Sequence, residues 1–244
     1  MVNSLGDNTS NDGQCTLREA ILAANDAPAN ADCGAGSSAD DTITFSVSGT
    51  ITLGSTLPAI VSGQGALTID GGGNITVSGG GSVRVMDVSS GADLTLRNIT
   101  IANGRSTSSG GISNAGTLTV TNSTFSANSA DFGGVGGGIA NFGTLTVTNS
   151  TFSANSALGG NGGGILNAGT LTLKNTIIAN STGGGDCSNF GTVTTKLHQQ
   201  PHRRLSRLRP DERRERQHHR LRPQPGRADR LPCLLPAAAR QPGH

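Results

Sequence analysis

The chain has 244 residues, a formal net charge of +2, 37 glycines and 2% aromatic residues, with no Trp or Tyr. That composition excludes the Trp and Tyr platforms on which sugar rings usually rest, and no apolar run approaches the roughly 18 residues of a membrane-spanning helix. The charge is an average of two unlike parts. Residues 1–195 hold 5 Lys+Arg against 12 Asp+Glu, whereas residues 196–244 hold 13 against 4, together with all five His.

Residues 1–14 lack the basic start and apolar centre of a signal peptide. The expectation is that the natural start lies upstream, in a longer gene for an exported protein. Cys15 and Cys33 stand 18 apart in a polar segment that has no other cysteine. A bridge suits an oxidising compartment, and two unlinked thiols are the alternative. Thr16-Leu17-Arg18-Glu19 is a capping box, which predicts a short helix. Leu17, Ala20, Ile21 and Ala24 give it one apolar stripe. The helix should stop near Asn25-Asp26, ahead of Pro28, and cap the open end of the strands beyond it. Segments 42–47, 49–53 and 66–69 alternate as strands do, and Ile75, Val77, Val83, Val85 and Val88 continue the pattern through 71–91.

From residue 92 the chain repeats itself. ADLTLRNITIANG, GTLTVTNSTFSAN (twice) and GTLTLKNTIIANS place Leu94, Leu118, Leu145 and Leu171 at intervals of 24, 27 and 26 residues. Periods of this size predict a solenoid in which each coil buries its apolar face only against its neighbours. The inward columns are these leucines; then Leu96, Val120, Val147 and Leu173; then Ile101, Phe125, Phe152 and Ile178. Ile112, Ile139 and Ile165 form a further column that Cys187 continues. Asparagine recurs at fixed phase too: Asn98, Asn122, Asn149 and Asn175; Asn114, Asn141, Asn167 and Asn189; and, more loosely, Asn103, Asn128, Asn155 and Asn180. Asn tolerates left-handed backbone, and stacked amides bond along an axis. The columns therefore predict structural ladders at coil corners, against the alternative of ligand-binding asparagines.

CTLREAILAAN, followed by DTITFSVSGTITLGSTLPAI and LTIDGGG, resembles the N-terminal CSLREA-type domain of bacterial secreted and surface proteins. FSAN at 125–128 and 152–155, paired with GGGI at 136–139 and 162–165, resembles polymorphic outer-membrane protein repeats of autotransporter-type adhesins. The resemblance covers about residues 1–195. It implies a right-handed parallel β-helix at the cell surface, and crossover chirality makes that hand the default.

At Lys196 the glycine turns and the Thr/Val alternation cease. One reading is a basic arm that attracts polyanions without specificity. The preferred reading is a shifted frame: a one-base shift restores Asn/Gly/Ile-rich text, and the nucleotide sequence across the codons for residues 191–200 distinguishes the two.

A catalytic β-helix wants paired carboxylates, or a metal with a strong base. Residues 92–195 offer only Asp93, Asp131 and Asp186 as acids, with Arg97, Arg105 and Lys174 as bases. Asp131 falls in a loop with no counterpart in the next repeat, and Asp70 and Asp87 lack a partner placeable on one face. The glycine runs at 134–138 and 159–164 precede no helix and carry no Gly-Lys-Ser/Thr, so they read as turns. No catalytic residue, metal ligand or cofactor is predicted.

The expectation is thus an all-β chain: a right-handed parallel β-helix over 1–195, with cap 1–41 and about six coils over 42–195, and then a disordered tail over 196–244. Its expected role is a non-catalytic secreted or surface scaffold, structural or adhesive. The partner would be an unidentified surface ligand, protein or glycan, with nucleic acid disfavoured. A carbohydrate-active β-helix with site residues outside this sequence is the alternative.

Overall fold

A computed structural model describes residues 1–27, 31–37 and 39–195. The expected tail and the choice of reading frame fall at 196–244, outside the described residues.

The chain coils into a parallel β-solenoid of about six turns, with three long stacks of strands, faces A, B and C, and a short fourth of Arg105–Ser106, Ser129–Ala130 and Ser156–Ala157 that follows face B. Face A stacks Asp41–Ile43, residues 66–70, residues 93–97, Thr117–Thr121, Thr144–Thr148, Thr170–Lys174 and Thr192–Thr195. Face B stacks Gly49–Thr52, residues 75–78, residues 99–102, Thr124–Ser126, Thr151–Ser153 and Ile177–Ala179. Face C stacks Met86–Val88, Ile112–Asn114, Ile139–Asn141, Ile165–Asn167 and Cys187–Asn189. At about 4.8 Å per turn the column is roughly 29 Å tall.

Alternation within each strand sends one set of side chains inward, and the register makes them stack on their equivalents. Leu67, Leu94, Leu118, Leu145 and Leu171 are successive partners on face A, and Val193 comes after them. All are buried in one continuous core. On face B, Val77, Ile101, Phe125, Phe152 and Ile178 succeed one another. The Phe125 and Phe152 rings stack with centroids 4.6 Å apart and planes within 6°. Each such side chain contributes about 1.5–3 kcal/mol by burial, and a stacked ring pair about 0.5–1.5 kcal/mol more.

The helix, α1, spans Leu17–Ala24. Thr16 accepts from the Glu19 backbone N–H while Glu19 accepts from that of Thr16, so the capping box is complete. The buried stripe of Leu17, Ala20, Ile21 and Ala24 joins the solenoid core. Residues 1–3 close the same end. Val2 forms a parallel bridge with Phe45, and its N–H donates to the Thr44 carbonyl at 2.8 Å.

Two loops fold back over face C. A Cβ on Gly136 would lie 2.5 Å from the Ala140 amide nitrogen, and one on Gly162 would lie 2.4 Å from the Ile165 carbonyl oxygen. Both glycines also have positive φ, 64° and 68°. Only glycine fits there, and the outward side chains of Ala140 and Leu166 are consequently buried. Face A is left without such a cover, and on face B only the outward positions Ser78 and Ala102 are buried.

Candidate functional site

The polar residues that recur with the coil are placed by the corners between faces. Leaving face A, the chain turns through one residue in left-handed conformation: Asn98, Asn122, Asn149 and Asn175, with φ between 46° and 53°. Their amides form a ladder that donates toward the N-terminal end. Asn175 donates to Asn149 at 3.1 Å, Asn149 to Asn122 and Asn122 to Asn98 at 3.3 Å, and Asn98 to Asp70 at 2.9 Å. Asp70 terminates the ladder and also holds Arg97 at 2.9 Å. The Asn98 amide chiefly, then the Gly72 N–H and Arg97, hold the Asp70 carboxyl below its ordinary value despite some desolvation. In the sequence Asp70 has no partner placeable on the same face. The reason lies in residues 71–74, a four-residue corner where later coils use a single Asn, which breaks the alignment between the two coils.

The second ladder enters face A and runs the other way. Asn114 donates to Asn141 and Asn141 to Asn167 at 2.7 Å, and Asn167 to Asn189 at 2.6 Å. Each also donates at 3.1 Å to a carbonyl of the next coil, at Thr144, Thr170 and Thr192. Asn114, Asn141 and Asn167 are fully buried, so these bonds form in a low-dielectric interior where an unmet amide is costly.

The loose third column is two columns. Asn103, Ala127, Ala154 and Asn180 occupy the left-handed position, with φ of 50–58°. One residue later, Gly104, Asn128, Asn155 and Ser181 line the interior. Asn128 and Asn155 are fully buried and bonded through the Asn155 oxygen at 3.0 Å, whereas the shorter Ser181 hydroxyl is buried without a partner. The AN pair of the repeat thus performs two jobs, and a shift of one residue in the flanking coils obscures it in the sequence.

At the cap, Cys15 and Cys33 are joined by a disulfide with Cα atoms 4.8 Å apart. Arg18 grips Asp7 with two nitrogens, both at 2.9 Å, and donates to the carbonyls of Ser55 and Thr56. The LREA motif therefore ties the first residues, the helix and the second turn together. The charge was legible in the sequence, but its partner 11 residues away was not.

Asp87 pairs with Arg84, and Asp131 with Arg105 at 2.8 Å. Asp7, Asp70, Asp87 and Asp131 are thus each matched to an arginine. Among the described residues no group of three or more His, Cys, Asp or Glu could hold a metal ion, and no helix is long and apolar enough to cross a membrane.

Fold and polar array together define a β-solenoid scaffold stiffened by internal amide ladders. No protein-family model matches the chain, nor does any curated protein or any solved structure.

Proposed function

We propose that this chain is the scaffold of an exported, surface-exposed protein, structural or adhesive, related to the CSLREA-type and polymorphic outer-membrane repeat proteins it resembles. The observation that carries this reading is an apolar ledge on ordered loops. Phe132 is 92% exposed and Leu158 46% exposed, and their loops are joined by a Gly133 N–H to Leu158 carbonyl bond of 2.8 Å. Two neighbouring apolar side chains presented on hydrogen-bonded loops suit contact with a partner, since binding residues concentrate on loops carried by a regular scaffold. The disulfide-tied cap supports an oxidising compartment. The arginine-paired carboxylates support a role without acid–base chemistry.

A panel of acidic and neutral glycans and surface proteins tests the reading. Retention without product formation, weakened at least fivefold in Phe132→Ser, is expected. Turnover of any polysaccharide overturns it.

A further inference from the structure

The outward side of face A carries an array of threonine used by neither the core nor the ladders. Its central rank is seven register-paired threonines, Thr42 through Thr194, in seven successive strands. A second rank of four runs beside it from Thr117 to Thr192, and a third comprises Thr121 and Thr148. Charges enter only at the margins: Asp93, Arg97 and Asp70 at one end, and Lys174 near the other. No hydroxyl in the array bonds to another group of the described residues.

Two features preorganise this array. Both edges of face A are bounded by amide ladders, Asn114–Asn141–Asn167–Asn189 where the chain enters and Asn98–Asn122–Asn149–Asn175 where it leaves. They fix the strand ends in register. Threonine is β-branched, so its methyl and hydroxyl are nearly locked on a strand and little rotamer freedom remains to be lost. The result is a grid of methyls and hydroxyls at about 4.8 Å between coils and about 6.7 Å along each strand. Face B is narrower and less regular: its one full threonine rank, Thr50, Thr76, Thr100, Thr124 and Thr151, ends at Ile177, and the rank beside it is Thr52, Ser78, Ala102, Ser126, Ser153 and Ala179, in which Ser78 and Ala102 are buried.

A ligand matching this grid is uncharged, offers donors and acceptors together, and repeats in two dimensions at those spacings. A single glycan chain repeats along one direction at most, and a globular protein surface in none. The oxygen rows on a prism face of hexagonal ice repeat in two directions at distances of this order. We propose that the threonine grid of face A binds the surface of ice, its hydroxyls replacing lattice waters and its methyls seated between the rows. This site is separate from the Phe132 ledge and independent of the adhesive reading.

The test uses the full chain in ice-affinity partitioning and single-crystal growth. The wild type is expected to enter growing ice at least fivefold above an unrelated control protein and to facet the crystals. Thr119→Tyr/Thr146→Tyr, which keeps strand-favouring residues at both sites, is expected to lose at least tenfold of this activity. Thr124→Tyr, on face B, is expected to retain it, with the melting temperature and circular dichroism of both variants unchanged. Exclusion of the wild type from ice overturns the proposal, whatever the variants do. Equal activity in the double variant, equal loss in Thr124→Tyr, or binding to crystalline cellulose with exclusion from ice does so too.

Discussion

Asn141 and Asn149 share a residue type and a coil but not an environment. Asn141 is fully buried and donates to the Asn167 side chain and to two carbonyls. Asn141→Ala is expected to cost about 2–3 kcal/mol, because Asn114 loses an acceptor in the dry interior. Asn149 is exposed with φ of 51°. Asn149→Ala should cost about 1 kcal/mol and Asn149→Gly less, since glycine accepts that backbone. Ala127 and Ala154 show the converse, exposed alanines at φ of 53° and 56°. Ala127→Gly and Ala154→Gly are expected to stabilise the protein by about 0.5–1 kcal/mol each, read from denaturant midpoints. Asp70 adds a pH dependence. Its carboxyl is depressed in the folded state, so its contribution is present above the ordinary carboxylate value of 3.8 and is lost as pH falls through the lower folded value. Asp70→Asn should lower stability at pH 7, where that contribution is fully present, and converge with the wild type as pH falls through the folded value, flattening the acid limb of the stability curve; the half-exposed Arg97 pair adds little to the difference.

At the scale of elements, the cap is held by two independent ties. Arg18 and Asp7 are only 12% and 8% exposed, and the guanidinium satisfies two oxygens of the carboxylate and two carbonyls. Lysine cannot reproduce that fork, so Arg18→Lys is expected to cost about 2–3 kcal/mol. The bridge closes a loop of sequence separation 18, and its removal as Cys15→Ser/Cys33→Ser should cost about 3 kcal/mol. Far-ultraviolet circular dichroism should retain its β signal in both variants while the melting temperature falls, because the ties hold the cap rather than the coils. The helix itself was readable from Thr16, Glu19 and its apolar stripe, since caps and periodicity act over a few residues. The Arg18 clamp was not, because its partners come from Asp7 and from a turn 37–38 residues later.

Across the whole molecule each coil touches only the coils above and below, so stability is distributed along an axis rather than around a centre. The N-terminal end is covered by α1 and residues 1–3. Native-state amide exchange is therefore expected to be graded along the axis and slowest near the Phe125–Phe152 stack. Uniform protection along the column would contradict a one-dimensional assembly.

The sequence alone determined the period, the inward columns, the helical cap and the two asparagine columns, because each is written as a short local pattern repeated at a fixed interval. Stacking then has only one register that buries every column at once. The tertiary structure decided what depends on which neighbour a coil meets. It set the two ladders in opposite directions and placed Asp70 at the end of one. It split the third asparagine column at Ala127 and Ala154, and it laid the glycine loops over face C. The bare threonine face comes from the same choice. Alternation said that those threonines point away from the core, but only the coiling of the chain set whether loops or water would lie above them.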